Sequence, residues 1–128
     1  MAKSRRPRNA PQEHSSEPAP DVITTTAGLE ALVAGFANAA FLAIDTEFMR
    51  EQTYYSQLCL VQVSDGTTAA AIDPLASGID MTALWQLFAD ENIVKVFHAA
   101  HQDLEIFYKE MGHLPLPLFD SQVAAMVL

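Results

Sequence analysis

Phe41-Leu42-Ala43-Ile44-Asp45-Thr46-Glu47 is an apolar run closed by two carboxylates one residue apart. Read as a strand, it alternates faces, so Asp45 and Glu47 project together while Thr46 projects opposite. Two like charges side by side repel and raise each other's pKa, an arrangement relieved when a divalent cation lies between them. The spacing alone is a weak signal, because among 16 acids in 128 residues acid-x-acid pairs arise by chance roughly twice. Asp103 and Glu105 form another such pair. On a helix its members lie on the order of 200° apart and cannot share a ligand. The surrounding sequence has to decide which pair matters.

Outward from this strand, residues 58–63 read as a second strand, followed by an Asp65-Gly66 turn and a third strand over 67–72. So short a turn requires the last two to pair antiparallel, which makes a three-stranded meander. Upstream, Leu29, Leu32, Val33 and Phe36 repeat with helical spacing behind Thr26 as N-cap, with Asn38 as the stop. Downstream, Asp80 is placed to cap a second helix carrying Met81, Leu84, Trp85 and Phe88 on one face, and 93–97 reads as a strand. A third helix puts Leu104, Phe107, Tyr108 and Met111 inward and stops at Gly112. Residues 116–119 read as a fifth strand, and Asp120 or Ser121 caps a last helix expected to bury Val123, Met126 and Val127. The pattern predicts an α/β fold with one mixed five-stranded sheet, an antiparallel meander followed by parallel strands, and flanking helices. It fits the ribonuclease H-like architecture. Leu128 ends an apolar helical face without a cap or a polar turn, so a C-terminally truncated domain is expected.

Half of the residues are hydrophobic and 18% are charged, enough apolar content for one domain with a real core and too much for a disordered chain. Residues 1–20, rich in Pro, Ser, Arg and Glu, read as a disordered tail before a domain over 21–128. No apolar run reaches the roughly 18 residues that span a bilayer, and no apolar segment follows the basic N-terminus. A cytoplasmic protein without membrane contact is expected, with no stable protein partner. The one cysteine, Cys59, lies in an apolar stretch and reads as a small buried hydrophobe. Lys3, Arg5, Arg6 and Arg8 crowd the tail, while from Asp21 onward 14 acids face three bases, a balance of 3 − 14 = −11. Such a body repels phosphate backbones unless bound metal or a basic part elsewhere offsets its charge.

The residues around the acids resemble a known family. Asp45-Thr46-Glu47-Phe48-Met49-Arg50, with Thr53-Tyr54-Tyr55 and Leu58-Cys59-Leu60-Val61-Gln62, is similar to the first motif of ribonuclease D. His98-Ala99-Ala100 with Asp103-Leu104-Glu105-Ile106-Phe107 is similar to the second. Ile72-Asp73-Pro74-Leu75 and Leu114-Pro115-Leu116-Pro117-Leu118-Phe119-Asp120-Ser121-Gln122 resemble the same family in the same order. Ser56 departs from an expected proline and Ser121 from a common threonine, changes that touch loop stiffness and a capping hydroxyl rather than any acid.

The resemblance implies a 3′ to 5′ exoribonuclease of the four-acid superfamily, acting on structured RNA with a free 3′ end such as tRNA precursors. Asp45, Glu47 and Asp103 are then both the catalytic residues and the ligands of two divalent ions, Mg²⁺ or Mn²⁺, about 4 Å apart. By that analogy Asp45 bridges both ions, Glu47 binds the ion on the nucleophile's side, and Asp103 holds the other directly or through water. Arg50, Thr53, Tyr54, Tyr55 and His98 are the candidate RNA contacts. The family's third motif, which brings the fourth acid, and its helical RNA-binding domain have no counterpart in these 128 residues, which by themselves are expected to be weakly active or inactive.

Plainer readings stand beside these. An aspartate near a helix start, as Asp103 is, commonly serves as a cap. Tyr54 and Tyr55 can stack on unpaired bases or simply pack, and Arg50 can pair with phosphate or with a neighbouring carboxylate. His98 and His101 lack the cysteines or second histidine pair that a zinc site would need. Gln62 reads as a partner for buried backbone and Asp120 as a cap. Two alternatives to the exoribonuclease remain open, a DNA 3′ to 5′ exonuclease of the same superfamily and a noncatalytic RNA-binding or scaffold domain.

Overall fold

The computed structural model of the protein describes residues 21–50 and 56–127. Val22–Ile23 forms β1, a two-residue strand too short to carry a periodic signal. Helix α1 (Thr26–Phe36) follows, with Leu29 and Phe36 buried. Its N-cap is Thr25 rather than the expected Thr26, and the Thr25 hydroxyl accepts from the Gly28 N–H at 3.1 Å. Thr26 does a different job, its hydroxyl accepting from the Asp80 N–H at 2.9 Å and so tying α1 to the segment before the next helix.

Three strands then form the expected meander, β2 (Phe41–Arg50), β3 (Ser56–Ser64) and β4 (Ala69–Ile72), with both pairings antiparallel. The third begins two residues later than 67. The Asp65 carboxylate captures the Thr67 and Thr68 N–H groups at 2.9 and 2.7 Å, which holds those residues in the turn rather than in the strand. Gly66, at φ +91°, takes the left-handed conformation that favours glycine, and a Cβ there would come within 3.2 Å of the Phe41 ring.

Helix α2 (Thr82–Phe88), strand β5 (Val94–Phe97), helix α3 (His101–Met111), strand β6 (Leu118–Asp120) and helix α4 (Ser121–Val127) complete the order. The N-cap of α2 is Met81, which makes no side-chain cap bond, rather than the expected Asp80; the Asp80 carboxylate sits one residue earlier and accepts from the Thr82 N–H and hydroxyl. The sheet has six strands, in the order β1-β4-β3-β2-β5-β6, one more than expected because β1 adds itself beside β4. Pairs β1/β4, β2/β5 and β5/β6 are parallel, so the sheet is mixed. The final strand runs 118–120 rather than 116–119. The Leu116 carbonyl is taken by the Lys95 side chain, and pairing with β5 starts only at the Pro117 carbonyl, which accepts from the Lys95 N–H.

The core joins one sheet face, carrying Leu42, Ile44, Val61 and Phe97, to the helices. Phe107 of α3 is fully buried and meets Phe88 edge-on at 5.4 Å between ring centres. Burying such a ring contributes about 2 kcal/mol. Two expectations about helix faces need correction. Tyr108 is 59% exposed, and Ile106 occupies the inward position instead, because the buried stripe of α3 is Asp103, Ile106 and Phe107 at i, i+3, i+4. On α4, Val123 and Met126 are exposed, since no described element covers that face. Gly112 ends α3 in the left-handed conformation, as its sequence position suggested.

Candidate active site

Strand β2 is interior to the sheet and runs on past its neighbour β5, whose recorded pairing stops at Ala43 with Val96. Asp45 and Glu47 lie on this extension. Both are exposed, and Thr46 between them is buried, so the predicted alternation of faces is the observed one. A register shift between Glu47 and Phe48 marks a bulge directly after the second acid.

Beyond β5 the chain turns sharply through His98-Ala99-Ala100, with Ala99 at φ +57°, a left-handed conformation uncommon outside glycine. Asp120, at the end of β6, holds this turn. Its carboxylate accepts from the Ala99 N–H at 3.1 Å and the Ala100 N–H at 2.8 Å, and also from the Gln122 N–H at 2.9 Å. It therefore caps α4, as expected, and fastens the start of α3 as well. The Ser121 hydroxyl adds a bond to the Phe97 carbonyl at 3.2 Å and lies 3.0 Å from His98 Nδ1. Helix α3 then starts at His101, which puts Asp103 in its first turn.

Asp103 is buried, and its Oδ1 accepts a hydrogen bond from the Thr46 hydroxyl. Burial pushes its carboxyl pKa up, the charges of Asp45 and Asp120 push it further, and the Thr46 hydroxyl pulls back. Asp120 moves the other way, held below the ordinary aspartate range chiefly by the Ala100 N–H, with Gln122, Ala99 and Val123 adding to it.

On the sheet face that bears Asp45, a cavity of about 520 Å³ is lined by Asp45, Gln62, Ser64, Ala71, Val96 and His98 among others. Gln62 is exposed there and does not serve buried backbone. His98, the residue after β5, lines this cavity together with Asp45. Arg50 is the last residue of β2. Thr53, Tyr54 and Tyr55 lie outside the described residues. His101 pairs with Glu105 at 3.8 Å on an exposed face of α3. Cys59 is half-buried, its thiol 3.3 Å from the Gln57 carbonyl.

The donors present, three carboxylates, suit a hard divalent cation rather than zinc or copper. Among the described residues no group of three His, Cys, Asp or Glu side chains stands close enough to enclose a metal ion. Asp45 and Glu47 are accessible together, while Asp103 is engaged by Thr46. The sequence did not single out Thr46 or the second role of Asp120. The available signal for Thr46 was a hydroxyl residue on the inward face between two outward acids.

A family model described as 3′-5′ exonuclease matches residues 20–128. Ribonuclease D of Jannaschia sp. is 56% identical over 112 residues, covering 84% of this chain and 29% of the relative. Ribonuclease D of Zymomonas mobilis is 55% identical over 108 residues, covering 84% and 28%. The crystal structure of Escherichia coli RNase D superposes with a TM-score of 0.78 at 42% identity, covering 84% of this chain and 28% of that one. The chain thus spans under a third of the length of these relatives. A family model that matches residues 20–128, with relatives 55–56% identical over the same region, means that the chain belongs to the 3′-5′ exonuclease family, among relatives named ribonuclease D.

Proposed function

We propose that this chain forms part of a metal-dependent 3′ to 5′ exoribonuclease of the ribonuclease D type, acting on structured RNA such as the 3′ ends of tRNA precursors. The observation that carries the reading is the pair Asp45 and Glu47, one residue apart and both accessible on the part of interior strand β2 that runs past β5. Support for RNA as substrate comes from the E. coli relative, described as an exoribonuclease involved in structured RNA processing. In this reading Asp45, Glu47 and Asp103 hold two divalent ions, Mg²⁺ or Mn²⁺. When bound, such ions activate water and stabilise the leaving 3′ oxygen. His98 borders the same cavity as Asp45 and is positioned to contact the RNA, with Arg50, Thr53, Tyr54 and Tyr55 as further contacts.

Residues 21–128 act as one portion of the exonuclease domain, after a tail over 1–20. Because three acids of a four-acid pattern fall within these 128 residues, they are weakly active or inactive by themselves.

The test is trimming of a 3′-extended tRNA precursor by the intact protein, with Mg²⁺ or Mn²⁺ and with EDTA. Trimming from the 3′ end is expected only with metal, and Asp45→Asn should reduce it by at least about a thousandfold. Full activity of that variant would refute the assignment. The separation of Asp103 from an enclosed metal site among the described residues favours a second reading, a noncatalytic RNA-binding domain. RNA binding without any trimming, under every metal tried, would decide for it.

A further inference from the structure

Strand β5 ends at Phe97, and the next residue, His98, is exposed and lines the cavity of about 520 Å³ on the sheet face. Its ring Nδ1 lies 3.0 Å from the Ser121 hydroxyl. That hydroxyl has one proton, which it donates to the Phe97 carbonyl at 3.2 Å. Towards His98 the Ser121 oxygen can therefore only accept, so Nδ1 carries a hydrogen. In the neutral ring the other nitrogen, Nε2, is then a bare acceptor. The backbone after the ring is held as well, since the Asp120 carboxylate accepts from the Ala99 and Ala100 N–H groups at 3.1 and 2.8 Å. Two consecutive side chains at the junction of β6 and α4 thus fix the turn that follows His98 and select the tautomer of its ring.

We propose that His98 Nε2 accepts a hydrogen bond from a ribose 2′-hydroxyl of bound RNA, and that Ser121 is the positioning residue that keeps this nitrogen an acceptor. This rests on the exoribonuclease reading above. A phosphate oxygen has no hydrogen to offer a neutral acceptor, which leaves sugar hydroxyls and base N–H groups as partners. An enzyme that removes one nucleotide after another meets every base in turn, so a contact that serves each step has to address what all the nucleotides share. The 2′-hydroxyl meets that condition, and it is the group by which a protein tells RNA from DNA. The cavity suits a sugar, with Ala43, Ala71 and Val96 as small apolar walls, Gln62 and Ser64 as polar neighbours, and a volume in the range of ligand sites.

Two measurements on the intact protein, both in EDTA at mildly alkaline pH and low ionic strength, test this without any metal ion. Long-range proton–nitrogen NMR reads which ring nitrogen of His98 is protonated. Hydrogen on Nδ1 is expected in wild type and in Ser121→Thr, and a shift towards Nε2 in Ser121→Ala. Fluorescence anisotropy then compares an RNA oligonucleotide with the same strand carrying 2′-deoxyribose at its last three positions. Wild type should bind the RNA about three- to tenfold more tightly, the effect of one neutral hydrogen bond. His98→Ala should bring that ratio close to one, Ser121→Ala should lower it most of the way, and Ser121→Thr should keep it. A strand lacking only the terminal 3′-hydroxyl should bind as the RNA does; loss of affinity there, with none on 2′-deoxy substitution, would assign the contact to the chain end and overturn the proposal. If Ser121→Ala does not fold, the wild-type spectrum and His98→Ala, at an exposed position, carry the test. Hydrogen on Nε2 in wild type, or variants that weaken both strands alike and leave their ratio unchanged, overturns the proposal while the exonuclease reading stands. Wild-type protein that neither binds nor trims RNA overturns both.

Discussion

Single side chains in this chain carry several long-range duties. Lys95 is the clearest case outside the acids, completely buried with its ammonium donating to the carbonyls of Asp90, Ile93 and Leu116 at 2.5, 2.7 and 2.9 Å. Burial pulls its pKa down, against the opposing charges of Asp90 and Glu91. Its three bonds join the entrance of β5 to the segment entering β6. Lys95→Met preserves the aliphatic stem but leaves three carbonyls without their donor, and should destabilise the protein by about 3 kcal/mol in urea unfolding. A loss under about 1 kcal/mol would mean that water replaces the ammonium without penalty. The alternation at Asp45, Thr46 and Glu47 is a residue-scale property of the same sort. Two side chains face the cavity side and one faces inward, and the inward one is the link to α3.

Elements here are secured at their ends. Asp65, Asp80 and Asp120 each accept from N–H groups of a turn or helix start, and each has its pKa held below the ordinary 3.8, by the Thr68 N–H, the Thr82 hydroxyl and the Ala100 N–H respectively as the largest causes. A carboxyl whose folded pKa is depressed adds stability above its unfolded pKa and loses it as pH falls through the folded value. Stability should therefore decline on acidification below pH 3.8, and Asp120→Asn should flatten part of that decline in denaturant titrations run across the same range. The same variant should speed hydrogen exchange at the Ala99 and Ala100 amides, which lose an ionised acceptor. Unchanged exchange there would contradict the clamp. At the far end of α3, Gly112 holds φ +80°, and Gly112→Ala should cost about 1 kcal/mol through backbone strain alone.

For the whole molecule, charge sets the conditions under which the proposed RNA substrate would approach. The balance from Asp21 onward is 3 − 14 = −11, and one of its three bases, Lys95, is buried. Among the described residues, no helix is long and apolar enough to cross a membrane. RNA affinity measured by fluorescence anisotropy should be weak in EDTA and rise at least about tenfold with millimolar Mg²⁺, because the cation offsets the clustered carboxylates. Tight binding in EDTA would show that another basic surface does the work.

Periodicity and turn chemistry are local, and that is why so much was legible in the sequence. The same-face placement of Asp45 and Glu47 follows from the two-residue repeat of a strand, the antiparallel meander from a short turn, and the end of α3 from a glycine. Where local signals were weak or ambiguous the reading slipped, as with the two-residue β1, the Thr25 cap, and Tyr108, which lies one helical step from the buried Phe107. Only the tertiary structure decided what Asp103 touches, that Asp120 holds the turn before α3, and that a lysine lies in the core. Each of those depends on a donor and an acceptor separated along the chain and brought together by strand order and register. No spacing within one element encodes such a meeting. The sequence by itself determined which acids this protein has to work with, and the packing of α3 against β2 decided which hydroxyl holds the third of them.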